Sequence, residues 1–310
     1  MPSITRIDSG ADGLTIMTAQ SRREIPLVFD CAGKRLIGIV TCPAQPAADG
    51  VVIVVGGPQY RAGSHRQFTL LARQLAEQGI ASMRFDYRGM GDSEGEIRNF
   101  EAIDADIRAA IDSFLRQVPQ VHAVSLWGLC DAAAAALYYG YADTRVNRLL
   151  LLNPWVHSEA GAARVRLKHY YLSRLLSKSF WLKLLSGQVQ VGASVGSLAQ
   201  SARQASAEAD TRAAPADPRH GAPGYIDRML DGLKRFGGEV RIVLSGQDLT
   251  AQEFVELIRN NKGWRKACRH PRIVFATLKE ANHTFSTRAW RDQVATWTGQ
   301  WVGHAGRPPV

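Results

Sequence analysis

The segment Trp-Gly-Leu-Cys-Asp-Ala at residues 127–132 constrains the fold of this chain more than any other part of its sequence. An apolar run precedes it and the alanine tract Ala132–Ala136 follows it, an order that predicts a strand, a sharp turn and a helix. The residues two before and two after Cys130 are Gly128 and Ala132, which are small enough for a tight turn with a nucleophile at its apex. The first turn of a helix favours thiolate, so we expect a lowered pKa for Cys130. The alternative is a buried structural cysteine.

Two later strands supply partners for this cysteine. The run Val240–Leu244 is followed by Asp248, and the run Ile273–Ala276 is followed by His283. A carboxylate after one strand and an imidazole after the next are what a catalytic triad requires, because the acid orients the histidine and the histidine activates the nucleophile. The sequence therefore predicts a Cys130–His283–Asp248 triad. Two other acids compete for the acid position but do not directly follow a strand: Asp231 and Glu253.

An earlier strand, residues 51–55, runs into Gly56-Gly57, where a turn can supply backbone donors for an oxyanion. The next residue is Pro58, which has no backbone N–H. We therefore assign one oxyanion donor to Gln59, with Tyr60 as the alternative, and the other to the N–H of Asp131.

Three side chains after this turn are assigned to substrate binding: Tyr60, Arg61 and Arg66. Either arginine could hold a carboxylate or phosphate of the substrate. In the alternative interpretation, Ser64 caps the helix that starts here and Arg66 is exposed in its first turn.

The rest of the chain alternates between strand and helix patterns, which is typical of a mostly parallel sheet with helices on both faces. The strand patterns cover residues 27–30, 36–42, 51–55, 81–87 and 146–153, and the helix patterns cover 66–78, 101–118 and 287–302. We divide the chain into an N-terminal extension (1–22), a core in two parts (23–154 and 240–302), a helical cap insertion (155–239) and a tail (303–310).

The cap insertion carries much of the excess positive charge. The chain has 38 basic and 28 acidic residues, and residues 160–186 hold six basic residues and no acidic one. Such a helix can attract an anionic substrate or make weak contact with an anionic membrane surface, or it can be an ordinary cap helix with a solvated basic face. No recognised nucleic-acid-binding module is present, so we expect no nucleic-acid partner. Residues 187–224 are rich in small polar residues, and we expect much of this segment to be mobile.

The four cysteines have no metal-binding spacing, and the proposed chemistry needs neither a metal nor another cofactor.

No apolar run approaches the roughly 18–20 residues that span a bilayer, and the first residues lack the apolar core of a signal peptide. We therefore expect a cytoplasmic protein.

Five segments together resemble the α/β-hydrolase superfamily, and in particular the first of the two hydrolases associated with bacterial exosortase systems. They are GGPQYRAGSHRQF (56–68), FDYRGMGDSEG (85–95), WGLCDAAAAAL (127–137), LSGQDLTAQEF (244–254) and ANHTFS around His283. The resemblance implies an α/β-hydrolase fold with a cap insertion and a gene context of exopolysaccharide and protein-sorting machinery, without a known substrate. Cysteine elbows also occur in dienelactone hydrolases and in bile-acid-conjugating acyltransferases.

The predicted function is hydrolysis of an ester or thioester through an acyl-cysteine intermediate, with a small acyl ester or a CoA or carrier thioester as substrate. One alternative is an acyltransferase that passes the acyl group to an amine or a sugar. A second alternative is a non-catalytic binding protein of the same fold, because Pro58 removes a donor from the oxyanion turn.

Overall fold

The computed structural model describes residues 22–57, 59–156 and 224–303. The predicted N-terminal extension up to residue 21, the tail from residue 304 and the predicted helical and mobile parts of the cap, residues 157–223, lie outside the described residues.

The described residues form one sheet of eight strands. In chain order the strands are β1 (Arg23–Cys31), β2 (Lys34–Cys42), β3 (Asp49–Val54), β4 (Ser82–Phe85), β5 (Ala123–Leu129), β6 (Val146–Leu152), β7 (Glu239–Ser245) and β8 (Ile273–Leu278). Their order across the sheet is β1-β2-β4-β3-β5-β6-β7-β8. The pairings of β2 with β1 and β4 are antiparallel and the other pairings are parallel, which confirms the predicted α/β class.

Seven α-helices connect or follow these strands in the described part of the chain. They are α1 (Gln67–Glu77), α2 (Asp104–Gln117), α3 (Asp131–Tyr139), α4 (Tyr225–Arg235), α5 (Leu249–Asn260), α6 (Lys262–Ala267) and α7 (Arg288–Gly303).

The two N-terminal strands, β1 and β2, form an antiparallel hairpin. Cys31 pairs with Lys34, so the turn between the strands is only Ala32-Gly33. Both turn residues have positive φ, 53° and 73°. A two-residue turn with this backbone twist joins antiparallel strands without splaying them, and glycine adopts it at little cost.

Apolar side chains cover both faces of the sheet. One buried cluster includes Ile107, Ile111 and Phe114 of α2 and the alanine tract of α3. The other includes Leu71 and Leu75 of α1 and Val294 of α7. A parallel sheet buried on both faces requires strands with continuous apolar runs, and β3 from Val51 and β6 from Leu149 have that pattern.

Two predicted helices begin later than the sequence pattern indicated. The pattern over 101–118 splits into a 3₁₀ turn, Phe100–Ala102, and α2 from Asp104, because the side chain of Asn99 accepts a hydrogen bond from the N–H of Glu101 and caps the short turn separately. The alternative interpretation, in which Ser64 caps the next helix and Arg66 lies in its first turn, is wrong: both residues lie in a separate 3₁₀ turn, and α1 begins at Gln67 without a side-chain cap.

Candidate functional site

Cys130 lies in a strained backbone conformation between β5 and α3. Its φ is 63° and its ψ is −122°. A non-glycine residue in such a conformation costs on the order of 1–3 kcal/mol, and strain of this kind concentrates at functional sites. A Cβ on Gly128 would lie 2.5 Å from the carbonyl oxygen of Ala132, so only glycine fits two residues before the cysteine. The tight turn predicted from the sequence is confirmed.

Backbone hydrogen bonds hold this turn on the neighbouring strand. The N–H of Cys130 donates to the carbonyl of Leu152 at 2.9 Å, and the carbonyl of Cys130 accepts from the N–H of Trp155 at 3.2 Å. Because β3, β5, β6, β7 and β8 run parallel, the loops after them meet at one edge of the sheet, and Cys130 projects from that edge.

Asp248 and His283 lie together at the same edge. Asp248 Oδ2 is 2.8 Å from His283 Nδ1. The Asp248 carboxylate also caps α5, since it accepts the N–H groups of Thr250 and Ala251 at 3.2 Å each. The sequence pattern did not reveal this second role. The cap holds the carboxylate in one orientation, so the imidazole that it contacts is oriented as well.

The two competing acids do not occupy this position. Asp231 lies within α4 and pairs with Arg235 one turn later, and Glu253 lies inside α5. Neither belongs to the loops that follow β7 and β8.

The thiol of Cys130 is not hydrogen-bonded to His283 in the described part of the structure. Catalytic hydrogen bonds are often long in an unliganded protein and shorten when substrate binds. The imidazole of His283 is about one-third exposed, which leaves it accessible for proton transfer.

The expectation of a lowered pKa for Cys130 is wrong. Burial is the largest cause and raises the pKa of this thiol. The negative charges of Asp131 and, to a smaller extent, Asp248 raise the pKa further. A hydrogen bond from the backbone N–H of Asp131 lowers the pKa but does not offset these effects. The polarity of the helix was the correct consideration for an exposed thiol, but desolvation outweighs it here. Cys130 is therefore a neutral thiol at neutral pH when no substrate is bound.

The side chain of Asp131 joins the cysteine turn to the glycine turn after β3. Its Oδ2 accepts the N–H of Gly57 at 2.9 Å, and its Oδ1 accepts the N–H of Ala132 at 3.0 Å. A Cβ on Gly56 would lie 2.3 Å from Asp131 Oδ1, so the two turns are in close contact. Burial raises the pKa of Asp131, and the N–H donors oppose that increase. The sequence analysis considered only the backbone of this residue.

Of the two predicted oxyanion donors, Asp131 is part of this contact and Gln59 follows Gly57 by two residues in the chain. The side-chain Oε1 of Gln59 accepts the N–H of Ser64 at 3.3 Å, which anchors the segment after the glycine turn. Among residues 22–57, 59–156 and 224–303, no acceptor is bound to the backbone N–H of Gln59. Pro58 lies outside the described residues.

The three predicted substrate-binding side chains have different surroundings. Tyr60 is exposed. Arg61 is held by two carboxylates: its guanidinium and its N–H both donate to the buried Asp86, and its Nη2 lies 2.7 Å from Asp92 Oδ2. A substrate anion would have to compete with both carboxylates for Arg61. Arg66 is exposed and has a left-handed φ of 59°.

Three further residues at this edge were not identified from the sequence. Tyr87, after β4, and Tyr225, at the start of α4, are buried. Burial raises the pKa of both phenols; Asp131 contributes to the increase at Tyr87, and Cys130 contributes at Tyr225. Asn153 is fully buried and donates from Nδ2 to the carbonyl of His283 at 2.9 Å. The only signal for Tyr87 and Asn153 was their position as the last residue of a predicted strand.

Within the described ranges, no group of three or more His, Cys, Asp or Glu side chains could hold a metal ion. No helix among the same residues has both the length and the apolar character to cross a bilayer.

Comparison with known proteins gives a family match. Residues 46–220 match the family model described as serine aminopeptidase, S33. Two curated relatives match about a third of this chain: an uncharacterised protein of Pseudomonas aeruginosa, 32% identical over 103 residues, and a polyketide transferase of a Penicillium species, 29% identical over 102 residues. The matched segments cover 27% and 33% of the length of these two relatives.

Solved structures resemble the chain over most of its length. An esterase of Pyrococcus furiosus aligns with a TM-score of 0.59 over 92% of this chain and 91% of its own, with 11% identical residues. At this identity the likeness is one of fold.

Proposed function

Because the chain belongs to the serine aminopeptidase S33 family and has the α/β-hydrolase fold, we propose that it hydrolyses an ester or thioester through an acyl group on Cys130. The observation that carries this proposal is the strained backbone of Cys130 at the same sheet edge as the 2.8 Å contact between Asp248 and His283. Backbone strain of this kind, at a residue beside an acid–histidine pair, is typical of a functional site.

The first half of the proposed reaction acylates the cysteine. Because the resting sulfur is a neutral thiol, His283 Nε2 takes the proton from Sγ as Sγ attacks the substrate carbonyl carbon. Asp248 holds the Nδ1–H of His283 and stabilises the imidazolium that forms. The resulting oxyanion is bound by the N–H groups of Gln59 and Asp131. The imidazolium then gives its proton to the departing alkoxide or thiolate, which leaves acyl-Cys130.

The second half of the proposed reaction repeats the cycle with water. His283 takes a proton from water as the water oxygen attacks the acyl carbon. The tetrahedral intermediate collapses, the bond to Sγ breaks and Sγ recovers the proton from His283. The products are the free carboxylic acid and the original thiol.

An acyltransferase is the second candidate, and the partial match to a polyketide transferase favours it. The acyl-cysteine would be the same, but an amine or hydroxyl of an acceptor would replace water. Transfer requires exclusion of water from the acyl-enzyme.

We also propose the associated system, the compartment, the substrate class and the partners of this activity. The motifs around Cys130 and at 56–68 support a hydrolase associated with exosortase systems and exopolysaccharide production. All four cysteines are free thiols, which supports a reducing compartment such as the cytoplasm. The substrate is a small acyl ester or a CoA or carrier thioester, and no nucleic-acid partner is expected. A weak contact of the basic segment 160–186 with an anionic membrane surface is proposed from its charge alone.

The experiment is a panel of activated esters and thioesters incubated with the full chain, with the intact protein weighed by mass spectrometry. We expect an acyl adduct on the wild type and on Cys268→Ala, and none on Cys130→Ala. The Cys268 thiol is a matched control, because it is also half-buried but follows the end of α6 and belongs to none of the loops that carry the candidate triad. An adduct that persists in Cys130→Ala would overturn the proposed nucleophile.

Product analysis then separates the two candidates. Free acid formed at a rate that is independent of added amine or sugar supports hydrolysis. A rate that rises with acceptor concentration, with an acylated acceptor as main product, supports transfer. No adduct and no turnover with any member of the panel would support the non-catalytic alternative.

A further inference from the structure

Strand β8 is one of the two edges of the sheet in the described part of the chain. Its sequence, Ile-Val-Phe-Ala-Thr-Leu, contains no charged residue, no proline and no glycine. The side chains of Val274 and Phe275 point to opposite faces of the sheet and are 45% and 40% exposed. An exposed apolar edge is a template for pairing with another strand, and native proteins normally protect or cover such an edge.

The opposite edge strand, β1, is protected in ways that β8 is not. Because Cys31 pairs with Lys34 at the hairpin, the backbone groups of Pro26 and Val28 belong to the alternate row that faces away from β2. Pro26 removes an N–H from this outer row. The strand also carries three charged residues: Arg23, Glu24 and Asp30. The contrast indicates that another strand covers β8 but not β1.

The backbone of β8 has free hydrogen-bonding groups along its outer side. The carbonyl of Leu278 faces β7, since it accepts the N–H of Gly246 at 2.9 Å. Successive residues of a strand direct their N–H and C=O groups to alternate sides, so those of Phe275 and Thr277 point away from β7. Within residues 22–57, 59–156 and 224–303, no hydrogen bond satisfies these outward groups.

A second copy of the chain has the backbone pattern that fits this edge. Two identical edge strands related by a two-fold axis pair in the antiparallel direction. If the axis passes between the two copies of Ala276, each Phe275 faces Thr277 of the second copy, and each such pair exchanges both of its hydrogen bonds. The same register places Val274 opposite Leu278 of the second copy. We propose that two copies of the chain pair through β8 in this register and form one continuous sheet.

The charges that flank β8 favour this register. It places Arg272 of one copy next to Glu280 of the other, at both ends of the paired strands. Glu280 is exposed and forms no ion pair in the described part of the chain, and only one guanidinium nitrogen of Arg272 donates a hydrogen bond there. A register centred on Phe275 would place Arg272 opposite Leu278, without a charge partner. Opposite charges across two strands therefore select pairing through Ala276.

The first test is the molar mass of the full chain in solution, measured by size-exclusion chromatography with light scattering over a range of concentrations. The variant Thr277→Pro removes an outward N–H without breaking a bond to β7. The matched control is Val28→Pro, which places a proline in the outward row of β1, at a residue that is 66% exposed.

We expect twice the 34.0 kDa of one chain for the wild type and for Val28→Pro, and the mass of one chain for Thr277→Pro. A wild type that is monomeric at every concentration would overturn the proposal, because the edge would then be uncovered or covered by the chain itself. A dimeric Thr277→Pro would place the contact elsewhere. The pairing involves none of Cys130, Asp248 and His283, so its outcome is independent of the proposed reaction.

The second test is oxidative cross-linking, which does not depend on the folding of a proline variant. In the proposed register Ala276 faces its own counterpart in a non-hydrogen-bonded pair, with Cα atoms about 4.5 Å apart, which is within reach of a disulfide. Ala276→Cys should therefore give a cross-linked dimer on a non-reducing gel. Val274→Cys is the control, because Val274 faces Leu278 and not itself. The wild type, with its four native cysteines, sets the background. Cross-linking of Val274→Cys but not of Ala276→Cys would contradict the register, and cross-linking of neither above background would contradict the pairing.

Discussion

Asp131 connects the chemistry of the cysteine with the geometry of the oxyanion turn. Its carboxylate accepts the N–H of Gly57, and its own backbone N–H contacts the sulfur of Cys130. An amide at this position can still accept from Gly57 through its oxygen, but it carries no negative charge. The variant Asp131→Asn thus removes the charge and, because its NH2 group cannot accept, also one hydrogen bond, that from the N–H of Ala132.

Asp131→Asn should increase the rate at which iodoacetamide alkylates Cys130 at pH 8. Burial and Asp131 both raise the pKa of Cys130, so its thiolate fraction is small at neutral pH and grows only as the pH rises toward that pKa. Removal of the carboxylate lowers the pKa and shifts the rate profile to lower pH. The measurement is alkylation rate against pH, and Asp227→Asn, an exposed residue of α4, is the control. A profile that Asp131→Asn leaves unchanged would show that the carboxylate does not act on the thiol.

His283→Ala and Asp248→Asn should reduce turnover by different amounts. Loss of the imidazole removes the group that accepts the thiol proton, and we expect a loss of about a thousandfold or more in kcat. Asp248→Asn keeps the bond from the N–H of Thr250 through its amide oxygen but loses the acceptor for Ala251 and for the Nδ1–H of His283. The imidazole is then misoriented but still present, so the loss should be smaller. Steady-state kinetics on any substrate found in the ester panel gives both values. Full activity in His283→Ala would exclude the proposed mechanism.

At the scale of elements, Asn153 links three of the strands that build the site. It lies directly after β6, where its side chain accepts the N–H of Ser245 in β7 at 2.8 Å and donates to the carbonyl of His283 beyond β8 at 2.9 Å. It also donates to Ser245 Oγ at 2.9 Å. This buried amide therefore fixes the distance between the acid strand and the histidine loop.

Asn153→Ala should lower both stability and kcat, with a smaller effect on KM. The change leaves buried N–H and carbonyl groups without partners, and each costs about 1–3 kcal/mol. Because the histidine loop loses its anchor, the imidazole should be misplaced relative to Cys130. Urea denaturation and steady-state kinetics measure the two effects. Asn147→Ala, which removes a half-buried amide at the opposite end of β6, is the control for stability alone. If Asn153→Ala and Asn147→Ala had equal kcat, the positioning role would be refuted.

At the scale of the whole molecule, a buried carboxylate couples global stability to pH. Burial tends to raise the pKa of Asp143, but the hydrogen bonds from Arg145 and from the hydroxyl of Tyr139 outweigh it and lower the pKa to about 2. Because the folded-state pKa lies below the unfolded value, the stabilisation is complete above pH 4 and disappears as the pH falls toward 2.

Asp143→Asn should lower the free energy of unfolding by roughly 2 kcal/mol at pH 7. About half of that difference should remain at pH 3. Urea denaturation at the two pH values measures it. Asp112→Asn is the control, since Asp112 pairs with the same Arg145 but is 40% exposed, and its loss should cost no more than about 1 kcal/mol. A difference between wild type and Asp143→Asn that stays constant from pH 7 to pH 3 would contradict the linkage.

The sequence by itself determined the order of elements and the place of the cysteine turn. Runs such as Val51–Val55 and the alanine tract after Cys130 are local patterns. The glycines near them indicate tight turns in the sequence itself. The candidate triad could also be named, because the carboxyl ends of parallel strands always meet at one edge of a sheet. The predicted helix starts were less accurate, because a polar side chain such as Asn99 can cap a separate short turn before the helix itself begins.

Only the tertiary structure decided the electrostatics of Cys130, the hydrogen bond from the N–H of Gly57 to Asp131, the pairing of Arg61 with Asp86, and the role of Asn153. Each of these depends on which residues from distant parts of the chain surround a group and exclude water from it. A helix terminus near a cysteine is visible in the sequence, but the burial that outweighs its effect is not. The pKa of a group depends on its desolvation and on charges a few ångströms away, and both are set by packing rather than by sequence neighbours.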